Sequence, residues 1–332
     1  MPRNIIQPNK VALLTTNKCT ASCKMCCFDC SPQNNEFVDP KVVEKVIYEL
    51  KTSNSIKTIG FSGGEPFLLY DDLIKITKQV AALGVRVVCT SNGFWGNNYE
   101  NAYKKLYAFQ TAGLKKLSLS VDNFHQQYIP IENIYNIIRV CKKLCIPVDI
   151  GSVLTKGTDN LNNILEGIAL ELVDVPHYRA ACLPVGAALK NISENEYIYD
   201  ENIFEKDNKC FETSYFAIYL NGDVYPCCSQ SGVIPVLKLG NIKKHSFDDL
   251  TKSYHRNMYC RIMKKYGFKW FYDASIQIGY NNLKEMKFVN KCHLCNYLLS
   301  NAHFIDAIAP LIEIEKERIY QEYIKQKNVA TQ

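Results

Sequence analysis

The chain has 332 residues, 47% of them hydrophobic and 22% charged, with a formal net charge of +6, which suits one large soluble domain or a domain with an appendage. No apolar run approaches the roughly 20 residues of a membrane span, and the N-terminus "MPRNIIQPNK" lacks the basic-then-apolar pattern of a secretory signal. The modest, dispersed charge gives no footprint for nucleic acid. The expected setting is therefore the cytoplasm, with neither membrane nor nucleic acid as a partner, where fifteen cysteines point to ligands or catalysts rather than disulfides.

From residue 11 onward short β-rich runs alternate with amphipathic stretches. The strand candidates are 11–16, 56–61, 85–91, 115–121, 148–154 and 177–183; the helix candidates between them are 40–53, 70–84, 98–113, 131–144 and 161–173. Six such units predict a parallel sheet in an α/β fold, a partial (β/α)6 TIM-like barrel over residues 1–190. In such folds chemistry gathers at the carboxyl ends of the strands. After residue 190 a polar connection leads to a hairpin in "YFAIYLNGDVYPCC" and then to a Lys- and Tyr-rich stretch. A small C-terminal domain is expected over 191–310, and a terminal helix with its tail over 311–332.

The loop after the first strand, "CTASCKMCCFDC", holds five cysteines in twelve positions. Cys19, Cys23 and Cys26 form C-x3-C-x2-C, a spacing at which three thiolates can wrap three corners of an iron–sulfur cubane and leave the fourth iron open for a substrate or cofactor. A structural zinc site is the alternative, but it needs a fourth ligand. At the end of the second strand stands "GFSGGEPFL" (60–68). Gly63 and Gly64 would let a ligand approach the backbone, and Glu65 offers a carboxylate to an ammonium group.

Together these two motifs resemble the radical S-adenosylmethionine (radical SAM) superfamily. That resemblance implies that Cys19, Cys23 and Cys26 hold a catalytic 4Fe–4S cluster, that Gly63, Gly64, Glu65 and Pro66 face the methionine amino group of S-adenosylmethionine, and that Phe28 stacks over the adenine. Ser91 and Asn92 in "SNG", and Ser120 and Asp122 in "SLSVD", would contact the cofactor or simply cap βα loops. "PVGAA" (184–188) would approach the adenine through its backbone. Cys27 and Cys30 are left as packing or local thiols.

Downstream stand Cys210, Cys227, Cys228, Cys260, Cys292 and Cys295. Setting aside Cys260 and one of the tandem pair leaves Cys210, Cys227, Cys292 and Cys295, enough to close a second cluster; a zinc knuckle is the alternative for "CHLC". The set looks like a SPASM or twitch-type extension, and being shorter than a full SPASM module it implies one auxiliary 4Fe–4S cluster. Cys228 is then left over beside that cluster. A thiol S–H bond is weaker than most C–H bonds, so a positioned thiol can return a hydrogen atom to a carbon radical; a packing role, or exchanged roles of Cys227 and Cys228, are the alternatives.

Across "CCFDCSP", "SNGFWG", "VGAA", "DVYPCCS", "YGFKWF" and "KCHLCNYLLSNA" the chain is similar to the YydG-type radical SAM peptide epimerases. This implies Cα hydrogen abstraction from a Val- or Ile-like residue of a ribosomally made precursor peptide, hydrogen return from Cys228 to give the D-residue, and an electron donor such as flavodoxin or ferredoxin. Cross-linking of the peptide is the competing reaction, and a non-catalytic iron–sulfur or zinc protein the competing class. The family leads one to expect an acidic residue a few positions after Cys210; Glu212 is nearby, while register puts Ser214 or Tyr215 there. Trp270 would line a peptide groove or pack in an aromatic core, and His125 touches substrate or is a satisfied loop histidine.

Overall fold

The computed structural model describes residues 8–158, 161–204, 209–210, 215–280, 283 and 285–330. Strands and helices alternate as β1 (Lys10–Leu14), α1 (Pro40–Thr52), β2 (Thr58–Ser62), α2 (Tyr70–Ala81), β3 (Arg86–Ser91), α3 (Tyr99–Ala112), β4 (Leu114–Ser120), α4 (Ile131–Lys143), β5 (Val148–Leu154), α5 (Leu161–Glu166) and β6 (His177–Ala181). The spatial order of the six strands is their chain order, and every pair is parallel. This is the partial (β/α)6 barrel.

Local chemistry explains the boundaries. Asp39 caps α1 by accepting from the Lys41 N–H at 2.9 Å, with Pro40 at the first helical position. Asn98 does the same for α3 through Asn101, and Gly113 ends that helix at φ 124°. The fifth helix is shorter than its periodicity predicts, because the regular helix stops at Glu166 before Gly167 and continues as turns.

Residues of each strand alternate in character. Val11, Leu13, Ile59, Phe61, Val87, Cys89, Leu117 and Leu119 are buried in one core with Val42, Val46, Leu73, Leu106, Phe109 and Ile137 of the helices. The opposite face carries Gly60, Ser62, Ser118, Ser120 and Gly151, small or polar groups that leave the barrel interior roomy. Phe109 is fully buried, with its ring 5.5 Å from Phe67 and 6.5 Å from Tyr70. Phe109→Ala is expected to lower stability by about 3–5 kcal/mol, read as a reduced urea midpoint with an unchanged slope.

The chain then adds α6 (Ala188–Asn191), β7 (Tyr215–Ile218), β8 (Asp223–Tyr225), β9 (Gly240–Asn241), α7 (Phe247–Arg256), α8 (Met258–Lys265), α9 (Phe268–Gln277), α10 (Lys291–Leu299) and α11 (Ala302–Ala330). β7 pairs in parallel with β1, Lys10 opposite Tyr215 and Leu13 opposite Ile218. β8 and β9 follow antiparallel, so one nine-stranded sheet runs through both halves of the chain. The Phe247 N–H also donates to the Glu49 carboxylate of α1 at 3.0 Å. Because β1 and β7 run side by side in one direction, the loop holding Cys19 and the turn of the β7–β8 hairpin leave the sheet at the same rim. No described helix is long and apolar enough to cross a membrane.

Candidate active site

The cysteine loop emerges from the carboxyl end of β1 and closes on itself, the Cys19 N–H donating to the Ser31 carbonyl at 3.1 Å. Cys19, Cys23 and Cys26 lie close enough for their charges to oppose one another. Burial pushes the Cys19 thiol up to about 11, with the Glu65 and Cys26 charges adding to the effect, and burial pushes Cys23 up further. Cys26 goes the other way, because the Cys30 thiol and the Cys30 N–H, 3.4 Å away, donate to its sulfur and hold it below its ordinary value. Cys30, which the sequence left as a local thiol, is therefore a hydrogen-bond donor to the third motif cysteine. The Cys19 sulfur accepts from the Asn92 side-chain amide at 3.6 Å.

This donor set fits a cubane. Three neighbouring thiols stand on the functional rim, with N–H groups aimed at two of the sulfurs. Among the described residues no trio of His, Cys, Asp or Glu converges tightly enough to grip a single ion. A tetrahedral zinc with thiolates at about 2.3 Å needs its sulfurs within about 4 Å of one another, whereas a cubane spreads its thiolates over separate corners.

The GGEP turn packs under this loop. The Gly64 N–H donates to the Thr16 carbonyl at 2.6 Å and the Glu65 N–H to the Lys18 carbonyl at 2.9 Å, and a Cβ on Gly64 would overlap that Lys18 oxygen. A Cβ on Gly63 would likewise come within 2.5 Å of the Thr16 carbonyl oxygen. The two glycines thus make room for the chain's own backbone just before Cys19, where the sequence had suggested room for a ligand. Pro66 is buried and starts the short 3-10 turn that follows.

Glu65 is fully buried, and burial raises its carboxyl to about 7 despite the hydrogen bonds it accepts. Its Oε1 takes the Phe67 N–H at 2.9 Å and the Ser91 hydroxyl at 3.0 Å; its Oε2 takes the Asn92 N–H at 2.8 Å. One lone pair on Oε2 remains for an incoming donor such as an amino group. Ser91 has none to offer. Its hydroxyl donates to Glu65 and accepts from the Gly93 N–H and the Trp95 indole, at 3.0 and 2.9 Å, so it positions Glu65 rather than reaching outward. Trp95, unnoticed in the sequence, completes that support with its ring stacked 4.2 Å from Phe67.

Asp122, at the end of β4, is 1% exposed. Burial works against its carboxylate, yet the His125 ring at 2.9 Å and the N–H groups of Val153 and His125 hold it below its ordinary value. Three donors crowd Oδ1, and Oδ2 keeps one lone pair beside the Val153 N–H. His125 is thereby a partnered loop histidine, near enough to influence Cys26 and Glu65. The Ser120 hydroxyl, half-buried on the inner face, takes no partner among the described residues.

Gly186 of "PVGAA" has φ 60°, and a Cβ there would sit 2.5 Å from the Cys27 carbonyl oxygen and 2.6 Å from that of Cys26. The Ala187 N–H donates to the Cys26 carbonyl at 2.9 Å. This stretch is a backing for the cysteine loop. Phe28 meets Tyr219 edge-on at 6.4 Å. The Tyr219 hydroxyl is buried without a hydrogen-bond partner among the described residues, and Cys227, Cys27 and Cys228 are among the charges it feels. Phe28 and Tyr219 therefore stand between the two cysteine sets.

In the second set Cys227 is influenced by Cys292 and Cys210, and Cys295 by Cys210, Cys227 and Cys292; burial pushes both thiols up. The four are gathered in one place. Cys227 is the member of the tandem pair that turns inward, accepting from the Ser229 N–H at 3.5 Å, while Cys228 is exposed. Cys260, set aside in the sequence, is buried against the same group beside Cys210. All fifteen cysteines carry thiols rather than disulfides. Trp270 packs edge-on against Phe271 at 5.1 Å, the aromatic-core alternative. Tyr215 lies on β7 with its hydroxyl 3.3 Å from the Lys10 amine, at the strand end away from the rim; Glu212 and Ser214 lie outside the described residues.

Residues 13–162 match the radical SAM superfamily, and residues 210–296 match SPASM, an iron–sulfur cluster-binding domain. Over 309 residues, 91% of this chain and 96% of the relative, the sequence is 26% identical to the "Putative peptide biosynthesis protein YydG" of Bacillus subtilis (strain 168). It is 27% identical to a "Probable GTP 3',8-cyclase" of Methanocaldococcus jannaschii over 53% of this chain and 56% of that one. Among solved structures, "Native anSMEcpe with bound AdoMet" shares the fold at a TM-score of 0.56 and 15% identity, with 91% of this chain and 98% of that chain covered. The chain therefore carries a radical SAM domain followed by a SPASM iron–sulfur cluster-binding domain, with S-adenosylmethionine and two iron–sulfur clusters as its cofactors.

Proposed function

We propose that this protein is a radical SAM peptide epimerase, converting L-residues of a ribosomally made peptide, Val- or Ile-like, to D-residues. Support for a peptide substrate comes from the Bacillus subtilis relative, named for peptide biosynthesis and similar along almost its whole length. Support for epimerisation comes from one observation: in the tandem pair, Cys227 turns into the four-thiol group while Cys228 stays exposed beside it.

In this reading Cys19, Cys23 and Cys26 hold the catalytic cluster and Cys210, Cys227, Cys292 and Cys295 the auxiliary one, with the barrel over 1–190, the auxiliary domain over 191–310 and the terminal helix over 311–332. When bound, the cluster and S-adenosylmethionine supply a 5′-deoxyadenosyl radical that takes the Cα hydrogen of the peptide. Glu65 receives the cofactor's amino group on its remaining lone pair; Ser120, the Asn92 carbonyl oxygen and Asp122 Oδ2 offer acceptors along the inner rim. Phe28 and Tyr219 place an aromatic wall between the two cysteine sets. The Cys228 thiol gives its hydrogen atom to the Cα radical from the opposite face, forming a C–H bond and a sulfur-centred radical. One electron and one proton restore the thiol, the proton coming from solvent and the electron from a donor such as flavodoxin or ferredoxin; a cluster held by Cys210, Cys227, Cys292 and Cys295 would, when bound, supply a relay for it.

The test uses the iron-loaded protein in deuterated water with S-adenosylmethionine, a reductant and the peptide encoded beside it. The expected product gains one deuteron at each residue that becomes D. Cys228→Ala is expected to form no D-residue while still cleaving S-adenosylmethionine and keeping both clusters. A product that lacks two hydrogens and contains no D-residue would show cross-linking instead and overturn the proposal.

A further inference from the structure

We propose that the Asn92 side-chain amide is a positioning residue for the catalytic cluster: its N–H donates to the Cys19 sulfur and makes the cluster easier to reduce. This rests on the reading of Cys19 as a ligand of that cluster.

The geometry leaves Asn92 little freedom. It sits at the carboxyl end of β3 and is 5% exposed. Its backbone N–H is held by Glu65 at 2.8 Å, and its Oδ1 accepts from the Phe94 N–H at 3.0 Å, an Asx-type turn that fixes the side-chain rotamer. The amide then has two N–H bonds to place. One goes to the Thr20 hydroxyl at 3.0 Å and the other to the Cys19 sulfur at 3.6 Å. Among the described residues this is the one side-chain amide that donates to a thiol of the C-x3-C-x2-C motif. The corresponding amide donor to Cys26 is the Cys30 backbone N–H.

The electrostatic setting shows why such a donor matters. The Cys19 sulfur is half-buried and faces the Glu65 and Cys26 charges, all of which oppose added negative charge. Reducing a cluster adds an electron whose density is shared with the thiolate sulfurs. An N–H pointed at one of them stabilises the reduced form more than the oxidised form and raises the reduction potential. Asn92 also meets Glu65 through its backbone N–H and Thr20 through its side chain, so a single residue ties the turn that meets the cofactor to the loop that holds the cluster. A purely structural role through Thr20 would hold the loop but leave the potential where it is.

The experiment is a redox titration of the reconstituted full-length protein followed by electron paramagnetic resonance, with the auxiliary cluster in the same samples as reference. Asn92→Ala removes the donor. Asn92→Asp removes it while keeping an acceptor for the Phe94 N–H, so the turn survives. Both are expected to move the catalytic cluster to more negative potential by about tenfold in the reduction equilibrium, about 59 mV for one electron, Asp by more because of its charge, with the auxiliary cluster unmoved. A full iron complement with an unmoved catalytic potential, or an equal shift of both clusters, would overturn the inference. Cys19→Ala, run alongside, separates the two readings: if it keeps both clusters intact, the assignment of Cys19 as a ligand has failed, and not the role of Asn92 alone.

Discussion

Alanine in place of Cys19, Cys23 or Cys26, one at a time, is expected to abolish cleavage of S-adenosylmethionine and to remove about four irons per chain, leaving the auxiliary cluster in place. The reason lies in the loop. Its three thiols are held in fixed positions by the closure from Cys19 to Ser31, by the backing of Ala187 on Cys26, and by the donors from Asn92 and Cys30. Two remaining thiolates cannot make up for the third, since Cys30 is already committed to the Cys26 sulfur. Cys145→Ala is the control: that residue is exposed just beyond α4 and is expected to leave iron content and cleavage unchanged. Iron and sulfide analysis with electron paramagnetic resonance, alongside chromatography of 5′-deoxyadenosine, measures both arms. Full iron content in any of the three motif variants would remove that cysteine from the ligand set.

Gly64→Ala is expected to be nearly as damaging although no ligand touches the new methyl group. A Cβ at this position would overlap the Lys18 carbonyl oxygen and lie 2.6 Å from the Lys18 carbonyl carbon and 3.1 Å from that of Asn17. These are backbone atoms, which cannot swing aside as a side-chain tip would. Either the segment before Cys19 moves or the GGEP turn does, and each carries one half of the site: the cluster thiol on one side, the Glu65 carboxylate on the other. A displacement of about 1 Å can cost on the order of a hundredfold in rate, with about 1–3 kcal/mol of overpacking strain in stability. Gly157→Ala, where an added Cβ meets nothing within 4 Å, is the matched control and is expected to be close to neutral. Urea unfolding and the rate of cofactor cleavage, measured on both variants, decide the matter. Wild-type cleavage by Gly64→Ala would mean that the turn is not tied to the cysteine loop in this way.

The six βα units were legible because each carries its own periodic signal: alternation in the strands, a three-to-four spacing in the helices, and caps such as Asp39, Asn98 and Gly113 at the ends. The four helices between Phe247 and Leu299 were not, since their Lys- and Tyr-rich segments are short and draw their stability from packing against one another and against the sheet. The site divides in the same way. Cysteine spacing is a property of the chain itself, so the C-x3-C-x2-C loop and the later cysteines could be picked out one by one. The saturation of Ser91, the Cys30 donor, the Asn92 amide on Cys19 and the occupant of the space beside Gly64 depend on segments tens of residues apart.

By itself the sequence determined the parallel α/β architecture, the loop that carries the first cysteines and the chemical kind of both thiol sets, because periodicity, capping and ligand spacing act over a few neighbouring residues. Only the tertiary structure decided that β7 joins β1, and with it that Phe28 of the first cysteine loop meets Tyr219, which feels cysteines of both sets. It also decided that Cys227 turns inward while Cys228 stays exposed. Strand pairing across some two hundred residues is chosen by the burial of whole faces against each other, and the direction a side chain takes is set by whatever neighbours that burial brings.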